Sequence, residues 1–150
     1  NRQVIRENAL SISVGILVAT LSAIFSVYIL GKTLGASEVI LLSMLPKSVT
    51  NPIAFEITKS IGGIQPLTAA VVISTGMLGA TINHKLLKIL GVKNDIAAGI
   101  AIGASSHGIG TSVCAHVSAV QLATGGVSIA LTGVATSIFI PLLLPILKSL

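Results

Sequence analysis

The residues from Ala9 to Leu30 form a run without a single charged side chain. As an α-helix this run is about 33 Å long, at about 1.5 Å per residue, which is enough to span a bilayer. In lipid each backbone N–H and C=O group must find a partner within the protein, and a helix provides one for nearly all of them. Leu67–Asn83 and Val127–Leu147 are two more candidate spans. The sequence therefore predicts an all-α integral membrane protein.

The overall composition agrees with that class. Hydrophobic residues make up 53% of the chain and charged residues 9%, against roughly 25% charged in soluble domains. The net charge of +5 does not indicate nucleic-acid binding, because most Lys and Arg residues lie at span ends, where they anchor helices. The single Cys114 cannot form an intrachain disulfide. We expect one membrane domain over residues 1–150, and a chain that is part of a longer protein.

Two polar breaks interrupt the apolar pattern, Pro46-Lys-Ser-Val-Thr-Asn-Pro52 and Ala104-Ser-Ser-His-Gly-Ile-Gly-Thr111. Proline removes a backbone donor and pushes the preceding residue out of the helical region. Irregular backbone at membrane depth persists only where it is buried in protein or lines a wet cavity. Paired interrupted segments are a sequence indicator of a transporter's binding site. The predicted order is span 9–30, broken segment 34–61, span 66–90, broken segment 94–124 and span 127–147.

These units recur at an offset of about 60 residues, which indicates an internal duplication. Gly62-Gly63 precedes the second span, and Gly125-Gly126 precedes the third. If each broken segment crosses the membrane, the two repeats point the same way. If each is a re-entrant hairpin, the repeats are inverted, as is usual in transporters. We favour hairpins, with the face that carries Arg2 and Lys85 cytoplasmic by the positive-inside rule.

The first break has the composition of an anion site. Thr50 or Asn51 is suited to cap a half-helix that begins at Pro52, because both are good N-cap residues and proline fits the first helical position. A helix N-terminus presents free N–H groups and a partial positive charge. Lys47 adds a full positive charge, and Ser48 and Thr50 add hydroxyl donors. A small carboxylate is the ligand that these groups predict.

The second break has a different composition. Its glycines permit positive φ and close approach of a ligand, and its hydroxyl groups can satisfy the backbone groups freed by the break. His107 is the only side chain in either break that changes charge near neutral pH when unperturbed, so it is a candidate proton carrier or substrate donor. The other candidate binding residues of this break are Ser105, Ser106, Gly108, Gly110 and Thr111.

Each break also has a structural interpretation. Lys47 would then pair with Glu38 or Glu56 and hold the hairpin together. His107 would be hydrogen-bonded to its serine neighbours as a fixed peg. An enzyme is not expected, since no nucleophile elbow, metal-ligand spacing or dinucleotide motif is present, and no metal or cofactor is predicted.

At these two breaks the sequence resembles the LrgB/CidB family of bacterial membrane proteins. The resemblance rests on Leu45-Pro-Lys-Ser-Val-Thr-Asn-Pro-Ile-Ala54, Ser60-Ile-Gly-Gly63 and Ala104-Ser-Ser-His-Gly-Ile-Gly-Thr111. The family's first motif usually has a second threonine where this chain has Asn51, and its second usually has alanine in place of Gly108. Both are small changes.

The resemblance implies a multi-pass protein of the bacterial cytoplasmic (inner) membrane, longer than this chain. It implies a carrier of small monocarboxylates such as pyruvate, lactate, glycolate or glycerate. The alternative that it implies is an antiholin-like regulator of murein hydrolase activity and lysis, acting with a small LrgA/CidA-type membrane partner. The expected partners are thus a carboxylate substrate, the lipid bilayer, further copies of this chain and that small protein. Specific polar groups in irregular backbone agree better with a carrier than with a pore.

Overall fold

The computed structural model describes residues 6–149, and within that range all regular structure is helical. In chain order the elements are α1 (Ala9–Thr33), α2 (Glu38–Met44), α3 (Asn51–Ile61), α4 (Gln65–Ile89), α5 (Asp95–Ser112), a short 3₁₀ helix (Val113–His116) and α6 (Ala119–Ser149). Helices α1, α4 and α6 are long and apolar enough to cross a membrane. The predicted all-helical membrane class is confirmed. Arg2, which was used above to orient the chain, lies outside the described residues.

The third span differs from the prediction because α6 begins at Ala119, so Gly125 and Gly126 lie inside the helix and not in a turn. A Cβ atom on Gly103 of α5 would stand only 2.9 Å from Gly125 Cα. Small residues of this kind let two membrane helices approach closely. By contrast Gly62 ends α3 in the left-handed conformation, with φ 84°. The two glycine pairs are therefore not equivalent, and this part of the predicted repeat is wrong.

The first broken segment contains two short helices, and the end of the second lies beside the first. The backbone N–H of Ile64 donates to Ser43 Oγ at 2.8 Å, and Thr68 Oγ1 donates to the Ser43 carbonyl at 2.8 Å. The Thr58 and Thr68 hydroxyl oxygens are 2.9 Å apart. Hydrogen bonds thus join the last turn of α2 to the last turn of α3 and the first turn of α4.

The two ends of the second broken segment also meet. Asp95, the first residue of α5, accepts hydrogen bonds from Ser118 Oγ at 2.6 Å and Gln121 Nε2 at 2.8 Å. His84 Nε2 is 3.1 Å from Gln121 Oε1, which ties α4 to the same place. These bonds hold the pKa of Asp95 below its ordinary value, since they stabilise the carboxylate. The start of α5, the start of α6 and the last part of α4 therefore lie together.

The interior has two different compositions. Aliphatic side chains fill the part nearest the end of α6, where one buried cluster contains Ile24, Leu45, Val49, Val72 and Ile140. Between α5 and α6 the contact is made mainly by glycines and hydroxyl-bearing residues. Large aliphatic side chains point outward along the long helices, which fits a surface in contact with lipid.

Candidate functional site

The first break extends from the end of α2 to the start of α3. The backbone N–H of Lys47 donates to the Met44 carbonyl at 3.1 Å, and that of Val49 to the Pro46 carbonyl at 3.3 Å, so the chain makes two tight turns here. Thr50 then adopts an extended conformation, φ −70° and ψ 152°, as expected for the residue that precedes a helix. Two turns and one extended residue thus replace the helix that the flanking apolar residues would otherwise continue.

Helix α3 begins at Asn51, one residue before the predicted Pro52. Thr50 occupies the N-cap position, but its side chain makes no capping hydrogen bond. Asn51 lies within the first turn, and its Oδ1 atom is buried without a hydrogen-bond partner. The prediction that one of these two side chains caps the helix is therefore wrong. Because no side chain caps this turn, its first backbone N–H groups remain free hydrogen-bond donors.

Lys47 is half-buried in this break, and its Nζ donates to the buried Ser48 Oγ at 3.1 Å. Glu38, one of the two carboxylates considered as its partner, instead forms an ion pair with Lys148 at 2.5 Å. Glu56, the other one, is exposed. The structural interpretation, in which Lys47 pairs with either carboxylate, is thus not what residues 6–149 show. Among the described residues the ammonium group is held by the neighbouring Ser48 hydroxyl group.

The second break lies at His107, within the predicted segment Ala104–Thr111. His107 has φ 43° and ψ −146°, and within residues 6–149 it is the non-glycine residue with positive φ. Gly108 and Gly110 were expected to take positive φ, and they do not. A positive φ at a histidine is uncommon and costs about 1–3 kcal/mol, so the surroundings must impose it.

Those surroundings hold the His107 side chain and carbonyl firmly. The imidazole is 4% exposed, and its Nε2 lies 2.8 Å from the Val72 carbonyl, which accepts a hydrogen bond from it. Thr111 Oγ1 donates to the His107 carbonyl at 2.6 Å. A Cβ on Gly76 would stand 2.6 Å from the ring Cε1, so that glycine makes the space for the ring. The imidazole partner is a backbone carbonyl, and not the serines that the sequence suggested.

The neighbouring serines form their own network. Asn83 Nδ2 donates to Ser106 Oγ at 2.6 Å, and the Ser105 and Ser106 hydroxyl oxygens are 3.0 Å apart. Ser106 is buried, and Cβ atoms on Gly79 or Gly110 would collide with it. Gly110 is therefore needed for close packing. Ser105 and Gly108 are exposed.

Val72 of α4 links the two breaks. Its side chain belongs to the same buried cluster as Leu45 and Val49 of the first break, and its carbonyl accepts from His107 of the second. Sequence reasoning missed Val72 because a valine in an apolar span gives no signal. It also missed Asn83, although a polar amide inside an apolar span is a signal that can be seen in the sequence.

Comparison with known protein families covers nearly the whole chain. A model of the LrgB-like family matches residues 1–146. The chain belongs to the LrgB-like family. It is 33% identical over 130 residues to the antiholin-like protein LrgB of Bacillus mycoides, covering 87% of this chain and 56% of that protein.

Two further relatives are similar at the same level. The protein YwbG of Bacillus subtilis is 34% identical over 141 residues, which cover 94% of this chain and 63% of the relative. A Haemophilus influenzae protein is 34% identical over 140 residues, which cover 93% and 60%. The chain thus spans about 60% of the length of these relatives. No solved structure matches it.

Proposed function

We propose that this LrgB-like membrane protein is a multi-pass carrier of small monocarboxylates, of the pyruvate, lactate, glycolate or glycerate class, in the bacterial cytoplasmic membrane. The observation that carries the proposal is that residues near both breaks pack against the central turns of α6, Gly103 against Ser128 and Ile53 against Gly133. The site would comprise Lys47, Ser48, Thr50 and Asn51 from the first break. From the second it would take Ser105, Ser106, His107, Gly108, Gly110 and Thr111.

Contacts along α6 support a common level for the two breaks. A Cβ on Gly99 would meet Gln121 Cα at 3.0 Å, and one on Gly103 would meet Ser128 Cβ at 2.9 Å. Helices α5 and α6 therefore run parallel here, and His107, about one turn beyond Gly103, comes level with the turn of α6 that follows Ser128.

On the other side of α6, a Cβ on Gly133 would stand 2.6 Å from Ile53 Cδ1. Ile53 is in the first turn of α3, next to Asn51, so the first break lies near the same turn of α6. Val72 adds an independent link, because it takes part in the packing of one break and accepts a hydrogen bond from the other. These contacts are the support for one shared site.

The electrostatics of the first break favour an anion. The first turn of α3 directs uncapped N–H groups and a partial positive charge toward the break. Lys47, four residues before the start of α3, supplies a full charge and is held by Ser48. Among the described residues the ion pair in the structure joins Glu38 and Lys148, so Lys47 is available to a carboxylate ligand.

We further propose that the broken segments are re-entrant hairpins related as inverted repeats. Lys148 pairs with Glu38 at one end of α6, while Gln121 binds Asp95 at the other end. Helix α4 starts beside Ser43 and ends in the region of His84, so it runs from the first of these ends to the second. Each broken segment then enters and leaves at one end.

The helix boundaries support the same duplication better than the glycine pairs do. The starts of α1 and α4, the starts of α2 and α5, and the residues that follow the two breaks are each about 57 residues apart. With hairpins, Lys85, Lys88 and Lys93 lie at the Asp95 end, which the positive-inside rule makes cytoplasmic.

A second function is favoured by the names of the Bacillus relatives, which are antiholin-like proteins. In that case the chain would regulate murein hydrolase activity together with a small LrgA/CidA-type partner, as a homo-oligomer or a mixed assembly. A regulator of that kind needs no saturable site. Binding and uptake of a small acid therefore distinguish the two functions.

The test is uptake of radiolabelled glycolate and pyruvate by proteoliposomes that contain the full-length protein. Lys47→Met keeps the apolar part of the side chain and removes the charge. We expect this variant to lower uptake at least about tenfold, because a hydrogen bond to a charged group is worth about 1.5–3 kcal/mol. Lys59→Met, which removes an exposed lysine from the last turn of α3, is the matched control and should transport normally. Normal uptake by Lys47→Met would refute the anion site.

A further inference from the structure

A groove of about 460 Å³ runs between α3 and α6, next to the first break. Pro52, Glu56 and Ser60 line one side of it, and they share a face of α3 because they are four residues apart. Ser137 and Pro141 line the other side and share a face of α6 for the same reason. The groove therefore contains polar side chains from both helices, at matching intervals of one turn.

The groove lies well inside α6, which is long and apolar enough to cross a membrane. A Cβ on Gly133 of α6 would stand 2.6 Å from Ile53 Cδ1 of α3. The two helices run parallel from this contact, because later residues of both line the same groove. Glu56 is thus level with the turn of α6 at Ser137. That turn is about 18 Å from the end of the helix at Ser149, at about 1.5 Å per residue.

Glu56 has no partner for its charge at this depth. The side chain is exposed, and among the described residues it has neither an ion pair nor a hydrogen bond. Lys59, three residues further along α3, does not line the groove and does not pair with it. An ionisable side chain inside a membrane is costly unless it is paired, and it usually marks an ion pathway or an ion site.

The rest of the groove offers oxygen acceptors. Pro141 has no N–H group, so the Ser137 carbonyl four residues earlier lacks its helical hydrogen bond. The Ser137 hydroxyl donates to the Gly133 carbonyl at 2.8 Å, and the Ser60 hydroxyl donates within α3 at 2.7 Å. Both hydroxyl oxygens therefore keep lone pairs that can accept. Among the described residues that line this groove there is no lysine, arginine or histidine.

We infer that Glu56, Ser60 and Ser137 form a binding site for a sodium ion that is carried together with the monocarboxylate. This inference rests on the proposed function and adds a coupling ion to it. Hard cations take oxygen ligands, and backbone carbonyls freed by helix breaks coordinate such ions in transporters. A divalent ion is disfavoured, because a single carboxylate would leave one positive charge uncompensated at membrane depth. A proton would need the carboxylate alone and would leave the freed carbonyl without a partner.

Charge balance supports coupling between the sodium ion and the acid. In the empty site the positive charge of Lys47 and the negative charge of Glu56 cancel, and in the loaded site the sodium ion and the carboxylate also cancel. Asn51, at the start of α3, is five residues from Glu56, about 7.5 Å along the helix. Because opposite charges attract at this distance, each bound ion should favour the other. The two effects on affinity must be equal, since coupling is reciprocal.

The experiment uses purified full-length protein in detergent, in sodium chloride or in choline chloride at equal ionic strength. The unfolding temperature is measured without acid, and the dissociation constant of glycolate is measured by calorimetry. With sodium at about ten times its dissociation constant, we expect the wild type to unfold about 3–6 °C higher than in choline. We also expect sodium to tighten glycolate binding at least about fivefold.

Glu56→Gln keeps the size of the side chain and removes the charge, so both sodium effects should disappear while glycolate binds as it does to the wild type in choline. Glu38→Gln is the matched control, because Glu38 pairs with Lys148 and does not line the groove, and it should keep both effects. Pro141→Ala restores an N–H donor to the Ser137 carbonyl and favours the helix. It should raise the sodium concentration for half of the effect several-fold, and it tests the site if Glu56→Gln does not accumulate.

Glycolate binding that is equal in sodium and choline, with no change in unfolding temperature, would overturn the sodium site and leave the carrier proposal intact. A higher unfolding temperature in sodium without binding of glycolate or pyruvate would support the cation site and refute the proposed function. Sodium effects that persist in Glu56→Gln would overturn the assignment to this groove. Tighter glycolate binding on acidification in choline, with no effect of sodium, would overturn it as well.

Discussion

The two breaks of this LrgB-like chain interrupt their helices by opposite means. In the first, two prolines remove backbone donors and polar groups are left available. Among residues 6–149 the Lys47 ammonium group bonds to the neighbouring Ser48 hydroxyl, and Asn51 Oδ1 has no partner. In the second, no proline is present, and the irregular residue His107 is held by bonds to Val72 and from Thr111. Where prolines end a helix, nearby polar groups remain free to bind a ligand. Where side-chain hydrogen bonds bend a helix, the polar groups are already bonded within the protein.

Under the proposed function the two breaks have distinct parts in one site. The first would supply charge and open donors, so its substitutions should affect ligand binding more than stability. The second would form the opposite wall, so its substitutions should affect stability first.

Gly76→Ala should destabilise the second break severely. The added Cβ would stand 2.6 Å from His107 Cε1 and 2.9 Å from Nε2, and the ring is buried. Overpacking of this kind costs about 1–3 kcal/mol, and the displaced imidazole would also lose its bond to Val72. Thermal unfolding in detergent measures the loss.

The control for that change is Gly126→Ala, also a glycine inside a membrane helix, where a Cβ meets nothing within 4 Å. It should leave the unfolding temperature unchanged or raise it slightly. If Gly76→Ala is as stable as Gly126→Ala, the second break is not held by its packing, and the contrast between the breaks fails.

His107→Gln should have a smaller effect. Glutamine retains an N–H donor that can reach the Val72 carbonyl but does not titrate near neutral pH, so we expect accumulation driven by an imposed proton gradient to remain within about threefold of wild type. His107→Ala, which removes the donor, should lower stability by about 1 kcal/mol. Loss of gradient-driven accumulation in His107→Gln, with downhill exchange preserved, would show that the histidine carries protons.

Much of the fold follows from the sequence because its causes are local. Charge-free runs identified the three spans, and prolines at positions 46 and 52 marked the first break. The second break was predicted over Ala104–Thr111, but its glycines suggested the flexible positions, whereas His107 is the residue that takes positive φ. Gly110 instead makes room for Ser106 of its own helix, and Ser106 is held by Asn83 of α4, which is distant in sequence.

The start of α6 could not be predicted from the sequence either, because it depends on a contact between helices. Gly125 and Gly126 have the composition of a turn, and only the close approach of α5 explains them inside a helix. Lys47 and Ser48 were recognisable as polar residues in an apolar context.

Asp95 gives the smallest expected effect and tests how the second broken segment is closed. Bonds from Ser118 and Gln121 hold its pKa below the ordinary value, so the stabilisation is present above the unfolded-state pKa and is lost as pH falls through the folded-state pKa. The unfolding temperature should therefore decline as the solution is acidified below about pH 4, the range in which an aspartate titrates. Asp95→Asn should lack this part of the decline, and an identical acid profile would contradict the closure.

The most direct test of the central claim is a structure of the full-length protein determined with glycolate bound. We expect the carboxylate to lie within hydrogen-bond distance of Lys47 and the first turn of α3, with His107 in the wall across the same cavity. A structure in which Lys47 and His107 are more than about 20 Å apart, a separation too large for one midplane transporter site, or in which either side chain faces lipid, would contradict it.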